Sequence, residues 1–87
     1  SFINEENSSK LEVLVYPNPF SKTTTVKITN GKRPYLLELF DVRGKIVKSF
    51  SSDKNEFLLD GINARRGIYW LEIKNQSNFK PIKLVIE

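Results

Sequence analysis

Val15-Tyr16-Pro17-Asn18-Pro19-Phe20 is the stretch around which the chain is organised. The run Leu11-Glu12-Val13-Leu14-Val15-Tyr16 leads into it, and Thr23-Thr24-Thr25-Val26-Lys27-Ile28-Thr29 follows it. Each proline holds φ near about −65° and removes a backbone donor. Each also drives the residue before it, Tyr16 or Asn18, toward extended geometry. The chain must therefore leave its first strand in a stiff, defined direction before it pairs again. A corner is expected here, where the first strand ends and the chain crosses to its next partner.

Both flanking runs repeat with a period of two, the period of a strand. Leu11, Val13 and Val15 alternate with Glu12, Leu14 and Tyr16, and Thr24, Val26 and Ile28 alternate with Thr25, Lys27 and Thr29. β-Branched residues fill both, as a half-buried pleated surface prefers. Asn30-Gly31-Lys32-Arg33-Pro34 is a loop punctuated by Gly and Pro. The third run, Tyr35-Leu36-Leu37-Glu38-Leu39-Phe40, is apolar on both sides except at Glu38, which predicts a central strand. Asp41-Val42-Arg43-Gly44 then places Asp at the first turn position and Gly at the φ > 0 position. That is a tight hairpin, a type I turn closed by a Gly bulge.

A fourth strand is predicted over residues 45–50, a polar loop over 51–55, and a short fifth strand over 56–60. The connection over residues 60–67 carries Ile62, expected to plug the end of the core. The sixth run, residues 68–74, is the most hydrophobic in the chain and should be central. Residues 75–78 turn the chain into a last strand over residues 82–86. The expected core includes Val13, Val26, Leu39, Leu59, Tyr69, Leu71 and Leu84. The fold class is all-β, a seven-stranded antiparallel immunoglobulin-like β-sandwich, with a closed small barrel as the alternative.

Composition narrows the function. Eighty-seven residues make one domain, able to bury only a little over about 60% of its unfolded surface. The chain has no Cys and no His. It has no disulfide, no thiolate nucleophile and no imidazole to act as base or metal ligand. An enzyme would have to run on carboxylates, and Asp41, Asp53 and Asp60 sit in turns that already explain them. The same aspartates lack any Ca²⁺-loop pattern, so no metal and no cofactor is expected. The net charge of +4 is scattered, with Lys32-Arg33 and Arg65-Arg66 the basic doublets. A nucleic-acid module carries a denser stripe. No apolar run approaches the ~20 residues that span a bilayer, and no secretory signal peptide opens the chain. The chain starts at Ser1 and contains no Met, as expected of a piece of a longer precursor. Residues 1–10 are predicted to be a flexible linker to an upstream domain, with residues 11–87 the folded domain.

Three motifs stand in a fixed order. Tyr16-Pro17-Asn18-Pro19 comes first, and Leu39-Phe40-Asp41-Val42-Arg43-Gly44-Lys45-Ile46-Val47 second. Gly67-Ile68-Tyr69-Trp70-Leu71-Glu72-Ile73 is third, followed by Lys83-Leu84-Val85-Ile86. This order resembles the C-terminal sorting domain of the type IX (Por) secretion system, in its type A form. In that family a PNP element opens the domain, a Y-D-x-x-G-[RK]-x-[VL] hairpin lies mid-domain, and G-x-Y begins a strand near the end. A basic residue then precedes the final apolar strand. Phe40 here replaces the usual Tyr, and the chain ends at Glu87 where the family often ends in Lys or Arg.

The resemblance implies a non-catalytic secretion signal that is itself a folded domain. It would carry cargo through the periplasm and across the outer membrane of a Gram-negative bacterium to the cell surface. Its implied partners are the type IX translocon and a cell-surface sortase that cuts in or before the linker. The implied recognition positions are Pro17, Asn18, Pro19, Asp41, Gly44, Gly67, Tyr69, Lys83 and Val85. Each also has a plainer structural role. Gly44 and Gly67 serve as turn glycines, Tyr69 as a core residue whose hydroxyl needs a backbone partner, and Lys83 as an outward residue. The last strand is expected to offer a free edge for strand addition by a partner. The alternative function is a carbohydrate-binding or adhesive β-sandwich that displays Tyr16, Phe20, Tyr35 or Trp70 as a row on one face.

Overall fold

The computed structural model describes residues 10–60, 65–76 and 79–87. Seven strands follow in order: β1 (Glu12–Tyr16), β2 (Thr23–Thr29), β3 (Tyr35–Phe40), β4 (Ile46–Ser52), β5 (Glu56–Asp60), β6 (Gly67–Ile73) and β7 (Ile82–Ile86). They form two antiparallel sheets, β1-β2-β5 and β4-β3-β6-β7. The period-two reading therefore holds, and the partition is a sandwich rather than a closed barrel. β3 and β6 are both interior to the larger sheet. Their inward residues are buried, whereas the outward Leu36, Ile68 and Trp70 stay exposed, so interior position does not account for the apolar outer face.

The inward residues of both sheets meet in one core. Val26 and Ile28 of β2 and Leu59 of β5 pack with Leu37 and Leu39 of β3, Tyr69, Leu71 and Ile73 of β6, and Leu84 and Ile86 of β7. Of the expected core, Val13 alone is only half-buried, and it packs against this cluster from β1, an outer strand of its sheet. Among the described residues, every buried side-chain N or O has a partner. Tyr35 is fully buried and donates its hydroxyl to Asn55 Oδ1 at 2.6 Å. Asn55 also accepts from the Ile28 backbone N–H at 2.7 Å. Asn55 thus ties β2 of one sheet to β3 of the other. Phe50 and Phe57 close one open side of the sandwich, edge to face at 6.0 Å, a contact worth about 0.5–1.5 kcal/mol beyond its buried area.

Several strand boundaries differ from the sequence pattern. β4 runs on through Ser51 and Ser52, predicted as loop, because they continue the ladder opposite Leu36 and Tyr35. Polar side chains erased the alternation there, while the backbone went on pairing. β6 starts at Gly67 and ends at Ile73 rather than Lys74, yet the Lys74 N–H still donates to Leu36 O at 2.7 Å. The expected plug at Ile62 and the tip of the turn at Ser77 and Asn78 lie outside the described residues, as does the linker through residue 9.

Gly31 makes the approach to the core possible. A Cβ there would sit 2.7 Å from Tyr35 Cε1 and 3.0 Å from Leu11 Cδ1. The Tyr35 ring is fully buried and hydrogen-bonded, so it has little freedom to yield. Gly31→Ala should destabilise the domain by about 1–3 kcal/mol, the usual cost of overpacking, read as a lower urea midpoint. An unchanged midpoint would show that the loop moves away freely.

Candidate functional site

The proline corner is built by substitution of side chain for backbone. Pro17 and Pro19 have no N–H, so the corner has few main-chain donors to offer a neighbouring strand. Asn18 replaces them. Its Nδ2 donates to Lys83 O at 2.8 Å, and its Oδ1 accepts from Val85 N–H at 3.0 Å. A carboxamide carries a donor and an acceptor side by side, as a peptide group does, and here it fits the ladder of β7. The next links are made by Phe20, whose N–H donates to Val85 O at 3.0 Å and whose O accepts from Glu87 N–H at 2.8 Å. Phe20 thereby pairs in parallel with Ile86, and its ring is buried in the core. Thr24, buried at the start of β2, donates its hydroxyl to Pro17 O at 2.6 Å and holds the corner from behind. Both proline peptide bonds of the corner are cis.

This corrects the expectation of a free edge. The outward backbone groups of β7 from Lys83 O to Glu87 N are taken by Asn18 and Phe20. Strand addition along that stretch would have to displace the corner. The correction was hidden because the contacts join residues 65 and 67 apart in sequence.

The mid-domain hairpin is the predicted turn. Gly44 N–H donates to Asp41 O at 3.0 Å, and Asp41 N–H to Lys45 O at 2.9 Å. Gly44 has φ +87°, with open space where a Cβ would lie. Asp41 Oδ1 accepts from the N–H groups of Arg43 and Lys45, each at 2.9 Å. The Lys45 N–H, with that of Arg43 and the charges of both residues, holds the Asp41 carboxyl below the usual carboxylate range, against a smaller opposing effect of burial. A lowered folded pKa means that this support is present above the ordinary value near 3.8 and fades as pH falls through the folded value. A register shift between Leu39 and Phe40 leaves Val47 extra on β4 and sets Ile46 opposite Phe40.

In the third motif, Gly67 opens β6 with φ +149° and faces Ile86. Tyr69 is buried and donates its hydroxyl to Arg65 O at 2.6 Å. This is the tyrosine corner of immunoglobulin-like sandwiches, a Tyr near a strand start bonded to backbone just upstream. Lys83 is exposed and faces outward opposite Trp70, and Val85 is half-buried. The nine predicted positions thus gather at one end of the sandwich. Asn18 touches Lys83 and Val85 directly, Gly67 and Tyr69 pair with β7, and the Asp41–Gly44 turn follows Phe40, which pairs with Trp70. Sequence reasoning missed Phe20 and Thr24 as parts of this end. Thr24 was legible, since it shares the inward phase of Val26 and Ile28.

The aromatic row required by an adhesive module does not form. Phe20 and Tyr35 are buried in the core, while Tyr16 and Trp70, both partly exposed, lie on different sheets. Among the described residues, no three His, Cys, Asp or Glu side chains converge on a point that could hold a metal ion. No helix there is long and apolar enough to cross a membrane.

Residues 14–87 match the family described as the secretion system C-terminal sorting domain. It is the sorting signal of the type IX system, a non-catalytic domain of surface and extracellular proteins. No curated protein matches the chain.

Variants at two positions test this end of the molecule. Asn18→Asp puts a carboxylate oxygen against Lys83 O and should cost about 1 kcal/mol for the lost exposed hydrogen bond. Asn18→Ala also removes the acceptor, so the Val85 amide should lose protection in hydrogen exchange, and full protection would mean that the clamp does not hold the edge. Gly44→Val should destabilise by about 1 kcal/mol or more through backbone strain alone, and Gly44→Asn by less, because Asn tolerates φ > 0. Equal melting temperatures for these two variants would contradict the turn assignment.

Proposed function

This chain belongs to the secretion system C-terminal sorting domain family, and from that premise we propose that the machinery reads a composite surface of the folded domain, not a linear tail. One observation carries this reading. The opening PNP corner and the final strand, 65 residues apart, form a single hydrogen-bonded unit. Each supplies hydrogen-bond partners to the other. Pro17, Asn18, Pro19, Asp41, Gly44, Gly67, Tyr69, Lys83 and Val85 divide into two roles. Asn18, Asp41, Gly44, Gly67 and Tyr69 set the backbone, while Lys83 and the exposed prolines present surface to the translocon. Residues 1–10 act as the tether to the cargo, within reach of the sortase that releases it.

The test is export of a reporter that carries a signal peptide in a host with type IX machinery. Residues 10–87 fused at its C-terminus should bring it to the surface, whereas residues 79–87 alone should leave it in the periplasm. Removal of β7 should stop export through unfolding, because Leu84 and Ile86 are buried core residues. Equal export by the short tail would overturn the composite signal in favour of a linear one.

A further inference from the structure

The outward face of β4-β3-β6-β7 has two unlike halves. Far from the hairpin, Glu38 and Glu72 stand opposite each other. Lys74 Nζ joins both, at 3.6 Å and 3.3 Å. The hydrogen bond with Glu72, then the two carboxylate charges, raise the Lys74 pKa. That half satisfies its own charges.

The half beside the hairpin is different. Register places Ile46, Phe40, Trp70 and Lys83 in one row across all four strands, with Ile68 opposite Val85 beside it. Ile46, Ile68 and Trp70 keep 46%, 40% and 39% of their surface exposed. Arg43 and Lys45 border the row in the turn, and Arg65 and Arg66 precede β6. Of the carboxylates at this end, Asp41 is turned into its own loop by two N–H groups and offsets Arg43 and Lys45 there. Glu87 follows Ile86, the partner of Gly67, at the Arg66 corner of the face and away from Trp70 and Lys83. A second copy would set these cations against their own kind, so the face is not self-complementary. A partner with carboxylates around an apolar centre fits it, the arrangement that steers and registers protein interfaces. The β7 edge beside it is already paired, which favours side-chain docking over strand addition.

We propose that this half-face is where the domain docks on a protein of the export machinery that presents an apolar strip rimmed by Asp and Glu. Trp70 and Ile68 are its anchors, and Lys83 is its charge contact. The proposal rests on the composite-signal reading and names the surface that is read.

The experiment uses the same reporter carrying the full chain. Trp70→Ala and Ile68→Thr should each cut surface display about tenfold, the loss expected when one interface anchor is truncated. Lys83→Glu should do the same, with melting temperature near that of the parent. Leu14→Ser and Leu58→Ser, at exposed apolar positions on the other sheet, should export normally. A photo-crosslinking residue at position 68 should form an adduct with an outer-membrane translocon protein, and Lys83→Glu should abolish it. If Trp70→Ala fails to fold, Lys83→Glu decides, since its side chain is exposed. Parental export by folded Lys83→Glu and Ile68→Thr would overturn the docking face and leave the composite signal standing. Failure of the unmodified chain to export would instead overturn the composite signal itself. Binding to anionic lipid is the rival outcome. A blue shift of the single Trp on vesicles of phosphatidylethanolamine with phosphatidylglycerol, absent on phosphatidylcholine, together with no adduct at position 68, would replace the protein partner with a membrane.

Discussion

A carboxamide between two prolines closes the edge of the last strand, and the architecture of the export signal depends on that closure. A strand at a sheet boundary leaves a row of backbone groups without partners, and any extended chain can pair with them. β7 is such a strand, yet it sends Leu84 and Ile86 into the core. The ladder to β6 holds it on one side. Asn18 and Phe20 hold it on the other, so Ile86 lies between two partners. The prolines make this corner stiff but remove its donors, and the Asn side chain returns one donor and one acceptor in peptide-like geometry. Thr24 fixes the corner to β2. The interaction therefore spans both sheets and both ends of the domain.

Much of this fold was legible because its information is local. Alternation located β1, β2 and β7, and unbroken apolar runs located the interior strands β3 and β6. Asp41 and Gly44 announced the hairpin through turn chemistry that needs no distant partner. Tyr69 announced a buried hydroxyl in search of a backbone acceptor, and Arg65 O supplies it. The failures share a cause of the opposite kind. β7 was read as a free edge because Asn18 looks like an ordinary turn residue until its partner is known. Phe20 and Tyr35 were offered as surface aromatics, since a side chain beside a loop does not reveal which way the loop folds. Ser51 and Ser52 were given to a loop because polar residues on an edge strand resemble one. In each case the deciding contact is long-range.

Closure of the edge also bears on how the domain avoids the wrong partners. A secreted β-sandwich whose last strand could pair with any extended chain would risk self-association before it reached its receptor. The corner removes that risk with four backbone-directed hydrogen bonds, drawn from two residues. The signal must then be presented by side chains on a finished surface. Under the proposed composite signal, that surface exists only after residues from both ends of the chain have met, which ties recognition to completed folding.

The outward face of the larger sheet shows how such a surface differs from sheet-building alone. Cross-strand pairing favours aromatic and β-branched residues on any pleated face, by about 0.2–1 kcal/mol per pair. That preference explains why Phe40 stands opposite Trp70 and Ile68 opposite Val85. It does not explain the distribution of charge. A face shaped by stability alone would gain from mixed signs at both ends, and Glu38, Glu72 and Lys74 supply that mixture at one of them. At the other end Lys83 stands at the β7 side of the apolar row, while Arg43 and Lys45 lie across the sheet in the β3–β4 turn, to which Asp41 is committed. Asp41 offsets Arg43 and Lys45 within the turn, but among the described residues no ion pair joins Lys83 to a carboxylate. Under the proposed docking, Lys83 gains its partner when a surface of opposite sign arrives, and that sets this end of the face apart as the side offered to the machinery.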